Sequence, residues 1–366
     1  EKPSCRMTPL TVDSLKPDCR HFRGDIPCKP HKFHGVHCPG CPLYEPTDGR
    51  VLVIKLGAIG DVIRTTPILH KLKEVYPRHA VWWVTETTDV VPETVDVRLP
   101  WNDASILALQ HVDFDLVLSL EKDLHACALA MSVPSKRLKG FILKNGKCAP
   151  IDGDADHKYL TGVFDDLNKE NTKSYPEEIF ELSGFRFSGE KYVLRNFADD
   201  GYAWKLPKRK KIVGLNTGCG GRWPSRLWPD AHWVALARSL GRAGYTPLLL
   251  GGEEEQRKNL RIAKASGALY PGHFPLRQFI NLVDQCRLVV TAVTMAMHIA
   301  IGLEKKIVLF NNIFNRNEFE LYGLGEILEP TVPCDCFYAR ECPKQCMRSI
   351  TPKRVLETVQ CLLPAK

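Results

Sequence analysis

From Arg50 onward, short apolar runs alternate with amphipathic stretches; before it, no periodicity persists. Val51–Leu56 (VLVIKL) is almost continuously apolar, as expected of a strand buried on both faces. Gly57-Ala58-Ile59-Gly60-Asp61 then reads as a turn. A helix is predicted to restart at Thr66-Pro67, with Thr66 as N-cap and Pro67 at N1, and Ile68, Leu69, Leu72 and Val75 on one face. Ala80–Val84, Leu116–Leu120 and Leu138–Ile142 are further strands with helical patterns between them, the alternation of a doubly wound parallel sheet. Residues 195–210 (NFADDGYAWKLPKRKK) are polar and basic and read as a linker.

The pattern then begins again. Lys211–Asn216 is a predicted strand, followed by Thr217-Gly218-Cys219-Gly220-Gly221 and a helix over Ala231–Leu240. Tyr245–Leu250 runs into Gly251-Gly252; Arg287–Thr291 and Lys306–Phe310 flank a helix at Thr294–Leu303; Pro352–Leu363 forms a closing helix. Two halves that each open with a strand and a Gly-rich turn predict two Rossmann-like domains, 50–200 and 201–366, facing a cleft. Residues 1–49, dense in Pro, Cys, His and Gly, form a small loop-rich module.

Composition narrows the class. The 366 residues are 44% apolar and 25% charged, values of a globular chain rather than a disordered one. No apolar run approaches the roughly 20 residues that span a bilayer, and the polar N-terminus does not read as a signal peptide. The formal charge of +8 is modest and scattered; it suits solubility, or an anionic substrate such as a nucleotide sugar or a phosphorylated lipid glycan.

A Gly-rich turn from strand to helix exposes backbone N–H groups where phosphate binds well. Gly57-x-x-Gly60 is not the dinucleotide fingerprint, which disfavours a nicotinamide enzyme. Asp61, just after the turn, is placed to take a proton from an attacking hydroxyl, or to cap a helix.

Several stretches then align in order. Val51–Pro67 (VLVIKLGAIGDVIRTTP) resembles the opening strand, loop and helix of the family 9 heptosyltransferases, which use ADP-heptose. Leu215–Trp233 (LNTGCGGRWPSRLWPDAHW), Leu248–Glu255 (LLLGGEEE) and Val289–His298 (VVTAVTMAMH) resemble their nucleotide-binding segments. The resemblance implies an α/β GT-B fold and an inverting transfer without a metal in the chemistry, the donor held by the C-terminal domain and the acceptor by the N-terminal one. It makes Asp61 the general base, with Gly57 and Gly60 shaping the cleft. Asn216, Thr217 and Gly218 would meet the donor phosphates, and Arg226, where the family usually has Lys, would neutralise the leaving diphosphate. Glu254 would face the ribose; Thr294 and His298 would complete the diphosphate side. One departure stands out: Ala292-Val293 replaces the family's Gly-Asp, removing a carboxylate from the donor side. His298 is equally readable as a core histidine, beside Met295, Ile299 and Leu303.

The implied partners are ADP-heptose or a related nucleotide-diphosphate sugar, and a lipopolysaccharide core, other surface glycan or glycoprotein as acceptor. The expected location is the cytoplasm, at the inner face of the cytoplasmic membrane. A non-catalytic, metal-stabilised binding protein on the same fold is the alternative that Val293 keeps open. Nucleic acid is not an expected partner, since Arg20, Phe22, Arg23, Lys29 and Lys32 fit no finger spacing or basic helix.

Eight of the 14 cysteines fall in two groups. Cys19, Cys28, Cys38 and Cys41 are interleaved with His31, His34 and His37; Cys334, Cys336, Cys342 and Cys346 lie near the other end. Each quartet is able to enclose a structural Zn or Fe ion or an Fe–S cluster; free thiols, disulfides, or one site shared by both groups are the other readings. Cys5, Cys127, Cys148, Cys219, Cys286 and Cys361 read as isolated thiols.

Overall fold

The computed structural model describes residues 10–207 and 211–364; Cys5 and residues 208–210 of the expected linker lie outside them. The strands are β1 (Gly49–Ile54), β2 (His79–Thr85), β3 (Val97–Pro100), β4 (Leu116–Ser119), β5 (Leu138–Lys144), β6 (Lys147–Pro150), β7 (Ile212–Asn216), β8 (Thr246–Leu250), β9 (Leu288–Ala292), β10 (Lys306–Phe310) and β11 (Gly325–Leu328). They form two sheets, ordered β3-β2-β1-β4-β5-β6 and β11-β10-β9-β7-β8. All pairings are parallel except the β5–β6 hairpin. In both sheets the strand entering the Gly-rich turn, β1 or β7, has a strand on each side: Val51 to Ile54 and Ile212 to Leu215 are fully buried or nearly so. The order reverses beside β1 and beside β7, which is where an open α/β sheet offers a crevice at its strand C-termini.

The fold is therefore the GT-B arrangement. The expected strands are present, each within two residues of its predicted ends. β3, β6 and β11 were not expected. Each is four residues long, and none is fully buried, so none carries the apolar run that marks a strand in sequence.

One local expectation is corrected. A helix occupies Ile59–Thr65, beginning within the expected turn, and the helix expected to restart at Thr66-Pro67 runs over Ile68–Val75, with Pro67 rather than Thr66 as its N-cap and Val75 exposed. Thr66 caps no N-terminus. Its hydroxyl donates to Ile63 O at 2.7 Å and accepts Val193 N–H at 2.9 Å. Asp61 thus sits in the first turn of a helix.

The segment expected as a linker is docked. Trp204 Nε1–H donates to Asn281 Oδ1 at 2.6 Å, Asn281 Nδ2–H to Asn196 O at 3.0 Å, and Phe197 is buried. One apolar cluster runs from Val51 and Ile63 through Phe197 to Ile280 and Met297, so the two domains share a core at the hinge.

Candidate active site at the domain junction

Helix Ile59–Thr65 packs directly on helix Met295–Gly302 of the other domain. Gly60 makes this possible: a Cβ there would lie 2.6 Å from His298 Cδ2, closer than real Cβ contacts come. A Cβ on Gly57 would meet Glu86 Oε2 at 2.9 Å. Both glycines therefore admit neighbouring side chains, and Gly60 admits one from the opposite domain.

Asp61 pairs with Arg64 Nη2 at 2.8 Å. Arg64 lies 3.5 Å over the Tyr175 ring and 3.7 Å from Glu318, which belongs to the C-terminal half. Lys55, buried at the end of β1, pairs with Glu121 at 2.7 Å. Burial raises the Asp61 pKa, but the charges of Arg64 and Lys55 outweigh it and hold the carboxyl at about 2. Burial drives His298 down to about 3, with Arg64 adding to the effect and Asp61 opposing it. At neutral pH the site holds an ionised Asp61 beside an uncharged His298. The Ala58 backbone adds a smaller influence in favour of the Asp61 carboxylate.

The second cluster lies at the C-terminal ends of β7 and β9. Asn216 Nδ2 donates to Thr291 Oγ1 at 3.0 Å, Thr294 Oγ1 at 3.3 Å and Gly218 O at 3.2 Å. Thr217 Oγ1 donates to Asn259 Oδ1 at 2.6 Å, and Lys258 Nζ to Thr217 O at 2.8 Å. Thr294 is the N-cap of helix Met295–Gly302, so His298 follows one turn, roughly 6 Å, along the same helix. The two clusters are joined by this helix.

Arg226 is buried, and its guanidinium donates to the carbonyls of Val293, Cys219 and Trp223. Burial lowers its pKa, and the other groups acting on it are the Cys219 thiol and the Arg222 guanidinium, not a carboxylate. Its hydrogen bonds are met while its charge is not, which is what an anionic ligand supplies. Val293 presents only its carbonyl here, to Arg226.

Glu254 is exposed at the turn after β8. Its neighbour Glu255 is the ordered carboxylate: it accepts Gly252 N–H at 2.9 Å and lies under Gly218, whose Cβ would come within 2.2 Å of it. In a run of three glutamates, spacing alone does not say which one turns inward. Arg64, Lys55, Glu121, Tyr175, Thr291 and Asn259 are further site residues that the sequence left unmarked; Arg64 alone carried a signal, as a cation three residues from Asp61.

The two cysteine groups differ. Cys334, Cys336, Cys342 and Cys346 bring four Sγ atoms within 4.8 Å of one another, the only such gathering of metal-capable ligands among the described residues. Two of the edges are 3.3 Å (Cys334–Cys342) and 3.7 Å (Cys336–Cys346). A tetrahedron with metal–sulfur bonds of 2.3 Å has edges of about 3.8 Å, so the quartet fits one Zn or Fe ion. Cys19, Cys28, Cys38 and Cys41 line a cavity of about 230 Å³ with His31 and His37, which stack at 5.2 Å. They surround that space without converging, and the two groups share no ligands. The described cysteines are free thiols.

The comparisons agree with this geometry. The family model "Glycosyltransferase family 9 (heptosyltransferase)" matches residues 187–313, the segment holding Asn216, Arg226 and His298. Lipooligosaccharide heptosyltransferase 2 of Haemophilus ducreyi is 22% identical over 289 residues, 70% of this chain and 80% of that protein. Among solved structures, the E. coli ADP-heptose lipopolysaccharide heptosyltransferase II superposes with a TM-score of 0.63 at 18% identity, covering 86% of this chain and 98% of that one. The iron-containing dodecameric glycosyltransferase TibC of enterotoxigenic E. coli gives 0.53 at 12% identity, covering 86% and 76%. Residues 187–313 thus match the family 9 glycosyltransferase model, and the chain as a whole shares the two-domain fold of solved heptosyltransferases.

Proposed function

We propose that the protein transfers a heptose or related sugar, with inversion, from a nucleotide-diphosphate donor to a lipopolysaccharide core, another surface glycan or a glycoprotein. The observation that carries this reading is the packing of the Asp61 helix on helix Met295–Gly302, because it sets a carboxylate one helical turn from the polar cluster around Thr294. The acceptor hydroxyl attacks the anomeric carbon, the bond to the diphosphate oxygen breaks, and the hydroxyl proton passes to Asp61. Asn216, Thr217, Gly218 and Thr294 line the diphosphate, and Arg226 takes up the negative charge that develops on it. Glu255, rather than Glu254, faces the ribose. Neutral His298 accepts or donates one hydrogen bond without repelling Arg64.

The metal belongs to structure rather than to the transfer: a Zn or Fe ion at the four C-terminal thiolates holds residues 334–346 together. Val293 leaves the donor one acceptor group fewer than the family pattern provides, which favours a sugar or ribose that needs none there. No helix among the described residues is long and apolar enough to cross a membrane. A lipid-linked acceptor is then met from the cytoplasmic face of the membrane by peripheral contact.

The test is Asp61→Asn assayed against a panel of nucleotide sugars. Turnover is expected to fall on the order of 10²–10⁴, with donor affinity retained and stability lowered by about 1–3 kcal/mol, since Arg64, 15% exposed, loses its charged partner. Unchanged turnover would remove Asp61 from the chemistry. Donor binding without turnover in the wild type would instead identify a binding protein.

A further inference from the structure

The cysteine loop is not an appendage on the surface. It is bonded to the turn that carries Arg226. Ser225 N–H donates to Arg340 O at 3.1 Å, and Ser225 Oγ donates to Ala339 O at 2.6 Å. Both carbonyls lie between Cys336 and Cys342. Asn312, in the loop after β10, closes the connection. Its Nδ2 donates to Ser225 O at 3.0 Å and faces Cys346 Sγ at 3.6 Å and Cys336 Sγ at 3.8 Å. Its Oδ1 is buried without a partner, so the amide stands with its donor edge towards the sulfurs. That orientation suits sulfur carrying negative charge, as a metal-bound thiolate does, since such ligands are steadied by N–H donors around them. Trp223, whose carbonyl accepts from Arg226 Nε, packs into the same cysteine cluster with Ile313 and Phe314.

A buried guanidinium whose charge is unmet must be held mechanically, since no carboxylate fixes it. Residues 223–226 form one turn of 3₁₀ helix and its entry, too short to hold themselves in place. Besides the carbonyls of Val293 and Cys219 that receive the guanidinium, their supports from outside the turn include the carbonyls of Ala339 and Arg340 and the amide of Asn312. The two carbonyls lie within the cysteine loop, and the Asn312 amide faces two of its four sulfurs.

We propose that loop 334–346, ordered by a metal ion on Cys334, Cys336, Cys342 and Cys346, is the positioning element for Arg226, so that metal occupancy sets the affinity for the diphosphate part of the donor. Ser225 and Asn312 are the positioning residues. The proposal rests on the reading of Arg226 as the diphosphate cation.

Calorimetry with ADP and adenosine on the full chain tests it, with metal content measured on each sample. Metal-loaded wild type binds ADP more tightly than adenosine, and Arg226→Ala abolishes the difference. Chelation weakens ADP about tenfold or more, leaves adenosine unchanged, and is reversed by adding Zn²⁺ or Fe²⁺. Ser225→Ala, which retains its metal, weakens ADP by about tenfold, and Ser225→Thr restores it; tenfold corresponds to about 1.4 kcal/mol, the scale of one hydrogen bond. General loosening of the domain would weaken both ligands together and overturns the proposal. If Arg226→Ala leaves ADP binding intact, the donor-site reading fails and this inference with it. If Arg226→Ala acts but Ser225→Ala retains full ADP affinity, the donor-site reading stands and the positioning role is overturned. Should the chelated protein unfold, the Ser225 pair decides.

Discussion

The absent side chain of Gly60 and the imidazole of His298 occupy complementary space across the two domains: a Cβ on the one would stand 2.6 Å from Cδ2 of the other. Gly60→Ala brings two opposed effects. Alanine favours the helix by about 1 kcal/mol, while forcing a methyl into a filled contact costs about 1–3 kcal/mol. The contact is expected to prevail, lowering the melting temperature and weakening ADP binding as the helix capped by Thr294 is pushed away. A double-mutant cycle with His298→Ala is the check: the second change should recover most of the loss, and additive effects would show that the two residues do not touch.

His298 makes stability depend on pH. Its folded pKa of about 3 lies below its ordinary 6.5, so between those values the unfolded chain binds a proton that the folded chain refuses. Stability contributed by the neutral ring is fully present above pH 6.5 and declines as pH falls towards 3, with a limiting slope of about 1.4 kcal/mol per pH unit. In His298→Gln this slope disappears. Melting curves from pH 7 to pH 4 should therefore converge for the two proteins at the acid end, and parallel curves would show that His298 is not buried neutral.

Arg64 governs the basicity of Asp61. Without it, the strongest influence opposing burial is lost, and the carboxyl pKa rises from about 2. Arg64→Met is expected to bring an acid limb into the pH profile of kcat/KM that lies below the accessible range in the wild type, displaced upward by about 1–3 units. A profile that keeps its wild-type shape would mean that the pair is not maintained when substrates bind.

Metal content separates the two cysteine groups. The convergence of one quartet and the dispersal of the other predict about one Zn or Fe per chain. Cys342→Ser should lose it, whereas Cys38→Ser should keep it. Elemental analysis of the two variants decides, and loss of metal from Cys38→Ser alone would move the ion to the N-terminal module.

The chain's own pattern determined the two Rossmann-like units, the strands that open them, and the placement of Asn216 at a strand end and of Asp61 and Thr294 just beyond one. These follow from local spacing, because a buried parallel strand must be apolar along its length and a strand-to-helix turn must follow it. Tertiary structure decided what lies far apart in sequence. It placed Arg64 of one domain near Glu318 of the other, turned Glu255 rather than Glu254 beneath Gly218, and bound the cysteine loop to the Arg226 turn through Ser225 and Asn312. It also drew together four sulfurs from residues 334–346 while leaving those of residues 19–41 around a cavity, although both spacings are dense in cysteine. Such contacts depend on how domains close and how side chains fill the space between them. Packing of this kind leaves no period in the sequence, which is why only the folded chain disclosed it.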